Sequence, residues 1–201
     1  MKKSIFLSLG MLIFTFLLST NLRAQEDPKP VYITITTMYR NLDADRTDWQ
    51  KTEQEYYDKV TSKNDLIIGS EILTHYYTAN SSEVLHVSVY KNWEDIEKAN
   101  DVSNELIKKA WPDEKARKAF FDKQRSYYMT KHSDEIYTSQ PMVGEKQLKT
   151  DSKEPMIVYI RRSQLSMNGQ GKGLKEFNEK VTLKNPYIKG YYPHRHAWGS
   201  D

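Results

Sequence analysis

The sequence predicts an α+β fold built from a repeated strand–helix–strand–strand–helix–strand unit, whose second copy is incomplete. Two observations carry this prediction: strand-like stretches alternate with stretches of helical spacing, and one segment occurs twice. Residues 59–75 (KVTSKNDLIIGSEILTH) return as residues 180–196 (KVTLKNPYIKGYYPHRH), shifted by 121 positions without a gap and identical at eight of seventeen positions. A repeat of this period indicates duplication of a whole supersecondary unit.

Residues 1–24 are predicted to be a signal peptide that lies outside the fold. Lys2 and Lys3 precede an apolar run over residues 5–18, and Ala24 ends the segment before Gln25. This is the pattern of a cleaved secretory signal, and the run is short for a membrane span. An uncleaved anchor helix is the alternative. We expect an exported protein, periplasmic or extracellular, without stable membrane insertion after cleavage.

The charge balance argues against a nucleic-acid partner. The whole chain has 30 basic and 27 acidic residues, a formal net charge of +3. Lys2, Lys3 and Arg23 belong to the signal segment, which contains no acidic residue, so the mature chain is formally neutral. A broad basic surface for nucleic acid is therefore not expected. The chain contains no cysteine, which excludes disulfides, thiolate nucleophiles and cysteine-bound zinc.

Residues 28–146 are predicted to form the first unit. Residues 31–39 alternate in polarity and are rich in β-branched and aromatic side chains, which predicts the first strand. A helix capped by Asp48 follows, then strands over residues 66–77 and 83–90, helices over residues 93–111 and 113–128, and a fourth strand over residues 136–143. This order is the split βαβ arrangement of ferredoxin-like domains.

The remaining chain is predicted to be a linker and half of a second unit. Residues 147–155 are charged and lack apolar periodicity, which indicates the linker. Within residues 156–201, residues 156–161 repeat the first strand, residues 174–184 the first helix and residues 187–198 the second strand. The glycine-rich loop over residues 168–173 does not match a phosphate-binding pattern and is interpreted as a flexible connection.

The strands of the incomplete second unit would be left unpaired, and unpaired strands favour aggregation. We therefore expect that the sequence is a C-terminally incomplete copy of a longer protein. A chain that completes itself with a partner, as in a homo-oligomer, is the alternative.

The element order, the duplication and the alternating strand faces resemble the dimeric α+β barrel superfamily, which includes antibiotic-biosynthesis monooxygenase-like and stress-responsive barrel proteins. In that superfamily two ferredoxin-like units face each other through their sheets and enclose a pocket. Over residues 31–201 the resemblance implies tandem ferredoxin-like units forming an α+β barrel, with the second unit truncated. It also implies that Leu85, Val87 and Val89 pack beneath the helices, while the opposite sheet face lines the pocket.

The candidate pocket residues follow from this face assignment. Those in the first and third strands are Tyr32, Thr34, Thr36, Met38, His86, Ser88 and Tyr90. The second strand and its repeat add His75, His196 and Trp198, and His194, His196 and Trp198 are expected to share one strand face. The tyrosine and tryptophan content suits an aromatic ligand, although aromatic residues at helical spacing also build cores.

His86 is the candidate catalytic residue. An imidazole in an otherwise apolar strand could act as a base, as a haem ligand or as a hydrogen-bond donor. A structural histidine at a sheet interface is the alternative. His194 and His196 could share a divalent metal ion, but the sequence supplies no obvious third ligand.

Two functional hypotheses follow. In the first, an exported α+β barrel binds a small apolar or aromatic ligand or serves a structural role. In the second, the protein is an oxygenase-like enzyme that acts on an aromatic or haem-type substrate, as the resemblance implies. Both hypotheses require His86 to lie on the sheet face opposite the helices.

Overall fold

The computed structural model describes residues 29–148, 156–164 and 172–199. The predicted signal peptide lies outside these ranges, as do most of the linker and residues 168–171 of the glycine-rich loop. In the ranges described, no helix combines the length and the apolar character needed to cross a membrane.

The fold is α+β, with one five-stranded antiparallel sheet in the order β2-β3-β1-β4-β5. The elements are β1 (Tyr32–Arg40), α1 (Arg46–Lys59), β2 (Ile67–Thr74), β3 (Glu83–Tyr90), α2 (Glu94–Ala110), α3 (Glu114–Ser126), β4 (Tyr128–Ser139), α4 (Lys172–Phe177) with a following π-helix (Asn178–Thr182), and β5 (His194–Gly199). Because β3 lies between β2 and β1, the first four strands have the split βαβ order, as predicted.

The N-cap of α1 is Asp45, and the prediction of Asp48 at this position was wrong. The Asp45 carboxylate accepts a hydrogen bond from the backbone N–H of Asp48 at 2.6 Å. The Asp48 carboxylate accepts instead from the Tyr127 hydroxyl, and from Lys123 Nζ at 2.9 Å. Asp48 thus joins the start of α1 to the end of α3, a long-range role that local spacing does not reveal.

β4 begins earlier than predicted and ends before Pro141. It runs over Tyr128–Ser139, and Pro141–Val143 form a short 3₁₀ helix. The early part of β4 is polar and largely exposed, so it carries no apolar alternation that would identify a strand. Pro141 has no N–H to donate to a ladder, which accounts for the break.

The helices cover the opposite sheet face from the one predicted. His86, Ser88 and Tyr90 lie on the face beneath α1, α2 and α3, where they line a cavity with residues of these helices. Leu85 and Val87 therefore lie on the face away from the helices. Alternation identifies which residues share a face, but it does not determine which face is covered.

The second half of the chain extends the first sheet. β5 pairs antiparallel with β4, whereas residues 156–161, predicted to repeat the first strand, form no strand. A strand requires hydrogen-bonded neighbours, and the outer edge of β4 is taken by β5. The predicted helix over residues 174–184 corresponds to α4 and the π-helix, and only the last part of the predicted strand over residues 187–198 is a strand.

A bulge in β5 separates side chains that were predicted to share a face. Trp198 pairs with Ile136, whereas His196 pairs with the adjacent Tyr137. Since Ile136 and Tyr137 point to opposite faces, His196 and Trp198 do so as well. His194 pairs with Ser139 and stays on the face of His196.

The two copies of the repeat share one local turn. Asn64 Oδ1 accepts from Leu66 N at 3.2 Å, and Asn185 Oδ1 accepts from Tyr187 N at 2.9 Å. In each copy the asparagine N–H also donates to the threonine carbonyl three residues earlier, and its carbonyl accepts from the isoleucine N–H three residues later. The repeated sequence therefore produces the same turn in both places.

The environments of the two asparagines differ. Asn64 is 2 % exposed and donates from Nδ2 to Ala99 O at 2.8 Å and to Ser103 Oγ at 2.9 Å, so it binds α2. For Asn185 Nδ2 the described ranges contain no such acceptor. Only the first copy uses this asparagine to hold a helix.

Candidate functional site

A cavity of about 1110 Å³ separates the helices from the sheet. Its floor consists of side chains from β2, β3 and β4, and its roof consists of side chains from α1, α2 and α3. Met38, His86, Ser88 and Tyr90, four of the residues predicted to line a pocket, lie in its wall. We call it the helix-side cavity. The alternation correctly predicted that these four residues share one sheet face. That face lies beneath the helices, whereas the opposite arrangement was expected.

The hydroxyl of Tyr128 is the centre of a polar cluster at one end of this cavity, and it joins β4 to α1 and β3. It donates to Glu53 Oε1 at 2.9 Å and accepts from Trp49 Nε1 at 2.8 Å. His86 Nε2 lies 3.1 Å from the same hydroxyl oxygen. Gln124 Nε2 completes the group through contacts of 3.3 and 3.2 Å with the two carboxylate oxygens of Glu53. We call these five residues the Tyr128 cluster.

The hydrogen count assigns the tautomer of His86. A tyrosine hydroxyl has one hydrogen and can accept two hydrogen bonds. The Tyr128 hydrogen goes to Glu53, so the contact with His86 requires a hydrogen on Nε2. Nδ1 of the neutral ring is then a hydrogen-bond acceptor.

Burial keeps His86 neutral. Desolvation lowers its pKa to about 4, because the imidazolium form would lose its hydration beneath the helices. Tyr128 contributes a neutral oxygen, and among the described residues no carboxylate forms a hydrogen bond with the ring. At neutral pH the site therefore presents an uncharged imidazole.

Glu53 is a buried carboxylate held by neutral donors. Its side chain is 7 % exposed, and its hydrogen bonds come from Tyr128 and Gln124. Burial raises the pKa of the carboxyl, while these two hydrogen bonds oppose the increase. Burial and the Glu53 charge both raise the pKa of the Tyr128 hydroxyl. The phenol therefore keeps its proton and can link Glu53 to His86.

A positive charge lies behind the cluster. The guanidinium carbon of Arg40 is 5.1 Å from the centre of the Trp49 ring, a cation–π arrangement. Arg40 Nη1 is buried and has no hydrogen-bond partner within the described part of the chain. Arg40 is not a lining residue of the helix-side cavity, so its charge acts on the site through Trp49 and across space.

Aromatic side chains from the helices form much of the remaining wall. Tyr56 and Phe121 meet edge to face with ring centres 6.2 Å apart. Phe121 also packs against Trp111, which stacks on Phe120 at 4.2 Å. Tyr90 contributes a further aromatic ring from β3. The cavity thus combines several aromatic rings with polar side chains, among which the Tyr128 cluster is joined by hydrogen bonds.

The other predicted pocket residues do not line the cavity. Tyr32, Thr34 and Thr36 nevertheless share the sheet face of Tyr90, Ser88 and His86, their partners in β3. Tyr32 packs edge to face on Trp93 at 5.7 Å, and Thr36 donates to Asp134 at 2.7 Å. His75 bonds Thr78 in the loop that joins β2 to β3. Three further candidates, which are also not among the residues lining the cavity, are Thr34, His196 and Trp198.

Sequence reasoning missed Glu53, Tyr128, Trp49 and Gln124 as partners of His86. One signal was present: Glu53 falls at helical spacing among the apolar residues Trp49, Tyr56 and Val60, where a carboxylate must find partners. Tyr128 gave no signal, because the predicted helix boundary placed it in α3 instead of at the start of β4.

The predicted histidine pair on β5 does not form part of a larger ligand set. His194 and His196 are exposed, and the His196 ring packs edge to face on Tyr137 at 5.3 Å. Within residues 29–148, 156–164 and 172–199, no group of three metal-ligating side chains is assembled.

The arrangement does not fit a haem iron bound by His86. Nε2, the nitrogen farthest from the backbone, is committed to Tyr128. Ligation through Nε2 would break this hydrogen bond and leave two buried polar groups to find new partners. We therefore derive no chemistry through haem.

Comparison with known proteins gave structural likenesses only. No family model matches the sequence, and no curated protein matches it. One similar structure is a NIPSNAP family protein of unknown function from Agrobacterium tumefaciens, with a TM-score of 0.39, 14% identity, and coverage of 55% of this chain and 88% of the other.

Two further structures have similar coverage. A putative antibiotic biosynthesis monooxygenase from Nitrosomonas europaea has a TM-score of 0.36 and 10% identity over 53% of this chain and 86% of its own. A dimeric protein of unknown function and ferredoxin-like fold from Bacteroides fragilis has a TM-score of 0.34 and 8% identity over 53% and 93%. At these scores the fold assignment rests on the strand order of the sheet described above.

Proposed function

We propose that this protein is exported and binds a small aromatic molecule in the helix-side cavity. One observation carries the binding proposal: a cavity of about 1110 Å³ is lined by several aromatic rings, and the hydrogen-bonded Tyr128 cluster lies at one end of it. Small-molecule sites typically combine these features, because the apolar wall supplies affinity and a few polar groups fix orientation. The hypothesis of a pocket on the other sheet face is replaced by this one.

A fluorescence titration with naphthol, a small aromatic probe, tests the proposal. Ser88 lines the cavity, whereas its neighbour Val87 points to the other sheet face. We expect saturable naphthol binding that is lost in Ser88→Leu, since the larger side chain fills the space, and retained in Val87→Leu. Circular dichroism establishes that both variants are folded. Absence of saturable binding in the unaltered protein, or equal binding by both variants, would contradict the proposal.

An oxygenase-like activity is the second candidate, favoured by the chain of hydrogen bonds from His86 through Tyr128 to Glu53. A proton that a dihydroxyaromatic molecule gives to His86 can pass along this chain to the carboxylate of Glu53, whose pKa burial raises. In the simplest reaction, dioxygen takes two electrons and two protons from this molecule, giving a quinone and hydrogen peroxide. Oxygen uptake with dihydroxynaphthalene tests this activity. The rate should exceed that of the uncatalysed reaction and fall in His86→Gln; a rate equal to the uncatalysed one would exclude this reaction.

Tandem duplication and barrel formation belong to the same proposal. The shared turn at Asn64 and Asn185 supports duplication. The sheet face away from the helices carries Leu85 and Val87, and this apolar surface suits a second sheet, including one from a second copy of the chain. Light scattering on Val87→Asp tests the second-copy arrangement, which predicts a dimer that the charge disrupts.

Export rests on the sequence pattern of residues 1–24. N-terminal sequencing of the protein produced in a bacterial host with its signal tests it. We expect a mature N-terminus near Gln25 in the exported fraction. Retention of Met1 in a cytoplasmic product would contradict export.

A further inference from the structure

We propose that the helix-side cavity selects aromatic ligands that donate a hydrogen bond, through an aromatic O–H or N–H group received by His86 Nδ1. Glu53 and Tyr128 are the positioning residues: they place the hydrogen of the His86 ring on Nε2, so that Nδ1 is the acceptor. The inference rests on the proposed binding function, because it names the ligand class for the same cavity.

The first step is the direction of the hydrogen bonds in the Tyr128 cluster. Glu53 as a carboxylate can only accept, so the Tyr128 hydroxyl must donate to it. The oxygen of Tyr128 then has only acceptor capacity left, and it is shared by Trp49 Nε1–H and His86 Nε2–H. Trp49 supports this assignment of hydrogen-bond directions, since an indole nitrogen can only donate.

The second step concerns the free side of the imidazole. His86 lines the cavity, and among the described residues Nδ1 has no hydrogen-bond partner. Nδ1 is also not among the fully buried, unpartnered side-chain atoms, where Arg40 Nη1 is found. The ring therefore has an accessible acceptor nitrogen at the cavity and a donor nitrogen fixed behind it.

The third step is the consequence for selectivity. A ligand that donates to Nδ1 satisfies this acceptor, whereas a ligand of the same shape with a methyl group in place of that hydrogen shields the nitrogen from solvent without supplying a hydrogen bond. Ser88, the neighbouring polar residue on β3, can both donate and accept and so imposes no polarity. On β3, His86 is therefore the cavity group that distinguishes the two ligands.

Nitrogen NMR of the histidine rings tests the polarity without any ligand. We expect His86 to show the Nε2–H tautomer in the full protein. In Tyr128→Phe the ring loses its acceptor and should change to a mixture of tautomers. Tyr159→Phe, which alters an exposed tyrosine outside the cavity, should retain the original pattern. An Nδ1–H tautomer in the unaltered protein would overturn the inference, even if Tyr128→Phe failed to fold.

Paired ligands test the selectivity. Naphthol and methoxynaphthalene have the same ring system, but only naphthol donates a hydrogen bond. We expect the unaltered protein to bind naphthol about three to ten times more tightly, the range that one net hydrogen bond supplies. Tyr128→Phe should reduce this ratio, while Tyr159→Phe, at an exposed position outside the cavity, should preserve it.

The outcomes separate this inference from the binding proposal. Equal affinity for both probes in the unaltered protein would overturn the selectivity and leave binding intact. Failure of both probes to bind would overturn the proposed function together with this inference.

Discussion

Tyr128 donates its hydroxyl hydrogen to Glu53 at 2.9 Å, which joins the first residue of β4 to the middle of α1. The two residues are 75 positions apart in the sequence, so the contact holds a strand against a distant helix. It determines which partner the Tyr128 oxygen can accept from, and through that the tautomer of His86. The same contact thus contributes to stability and to the chemistry of the cavity.

Tyr128→Phe is expected to destabilise the fold by roughly 2 kcal/mol, because Glu53 loses a donor while Trp49 and His86 lose an acceptor in a largely buried site. Urea unfolding monitored by tryptophan fluorescence measures the change. Tyr159→Phe is the control: Tyr159 is 84 % exposed, and its variant should lie within about 0.5 kcal/mol of the original protein. A similar loss in both variants would show that the cluster adds no particular stability.

Stability should fall as the pH decreases from 6.5 towards 4, in part because of His86. Burial lowers the folded-state pKa of His86 to about 4, against 6.5 for the exposed ring. Between these values the unfolded state binds more protons, so the free energy of unfolding rises with pH. The contribution is complete above pH 6.5 and amounts to about 3 kcal/mol at most.

Glu53 has the opposite effect on the pH dependence of stability. Its raised folded-state pKa makes the folded protein bind a proton more readily as the pH falls. His86→Gln isolates the histidine contribution, since glutamine can still donate to Tyr128. Urea unfolding across this pH range should give a shallower slope for the variant. Identical slopes in both proteins would show that burial does not suppress protonation of His86.

Asn64→Ala should cost about 2 kcal/mol of stability, because it removes both hydrogen bonds to α2 and the turn contact with Leu66. Asn185→Ala is the matched variant, since it removes the equivalent turn contact with Tyr187 and no contact to α2. Its cost should be below about 1 kcal/mol. Thermal unfolding of the two variants measures the difference. Equal costs would show that the hydrogen bonds from Asn64 to α2 add no stability.

Gly199→Ala should detach the end of β5 from β4. Gly199 has φ +113°, and an added Cβ would lie 2.2 Å from the carbonyl oxygen of Asp134. Hydrogen exchange at the β4 amides should therefore accelerate. Gly173→Ala serves as the control, because no atom lies within 4 Å of the added Cβ, and it should leave this exchange unchanged.

Most of the first unit could be predicted from the sequence, because its elements other than β4 carry a local signal. The alternation in β1 and β3 and the helical spacing in α2 reflect burial on one side of each element. β4 was misplaced since its early residues are exposed and polar, and no apolar pattern marks them. Residues 156–161 resemble a strand locally, but a strand is formed only where neighbours supply hydrogen bonds.

The candidate site was predicted in part. His86, Ser88 and Tyr90 were grouped correctly on one face because alternation is a local property. The covered face depends on where α1, α2 and α3 pack, which is a tertiary property. The partners of His86 come from distant elements, and only Glu53, a carboxylate on an apolar helix stripe, gave a sign of a buried polar cluster.

The turn at Asn64 and Asn185 bears on the order of folding events. It has the same hydrogen bonds where the asparagine holds α2 and where it does not, so its conformation is encoded within a few residues. Contacts of such short sequence separation require little loop-closure entropy and can form early. In the first copy the early turn would place Asn64 Nδ2 before α2 docks, and so provide a ready attachment point for the later helix.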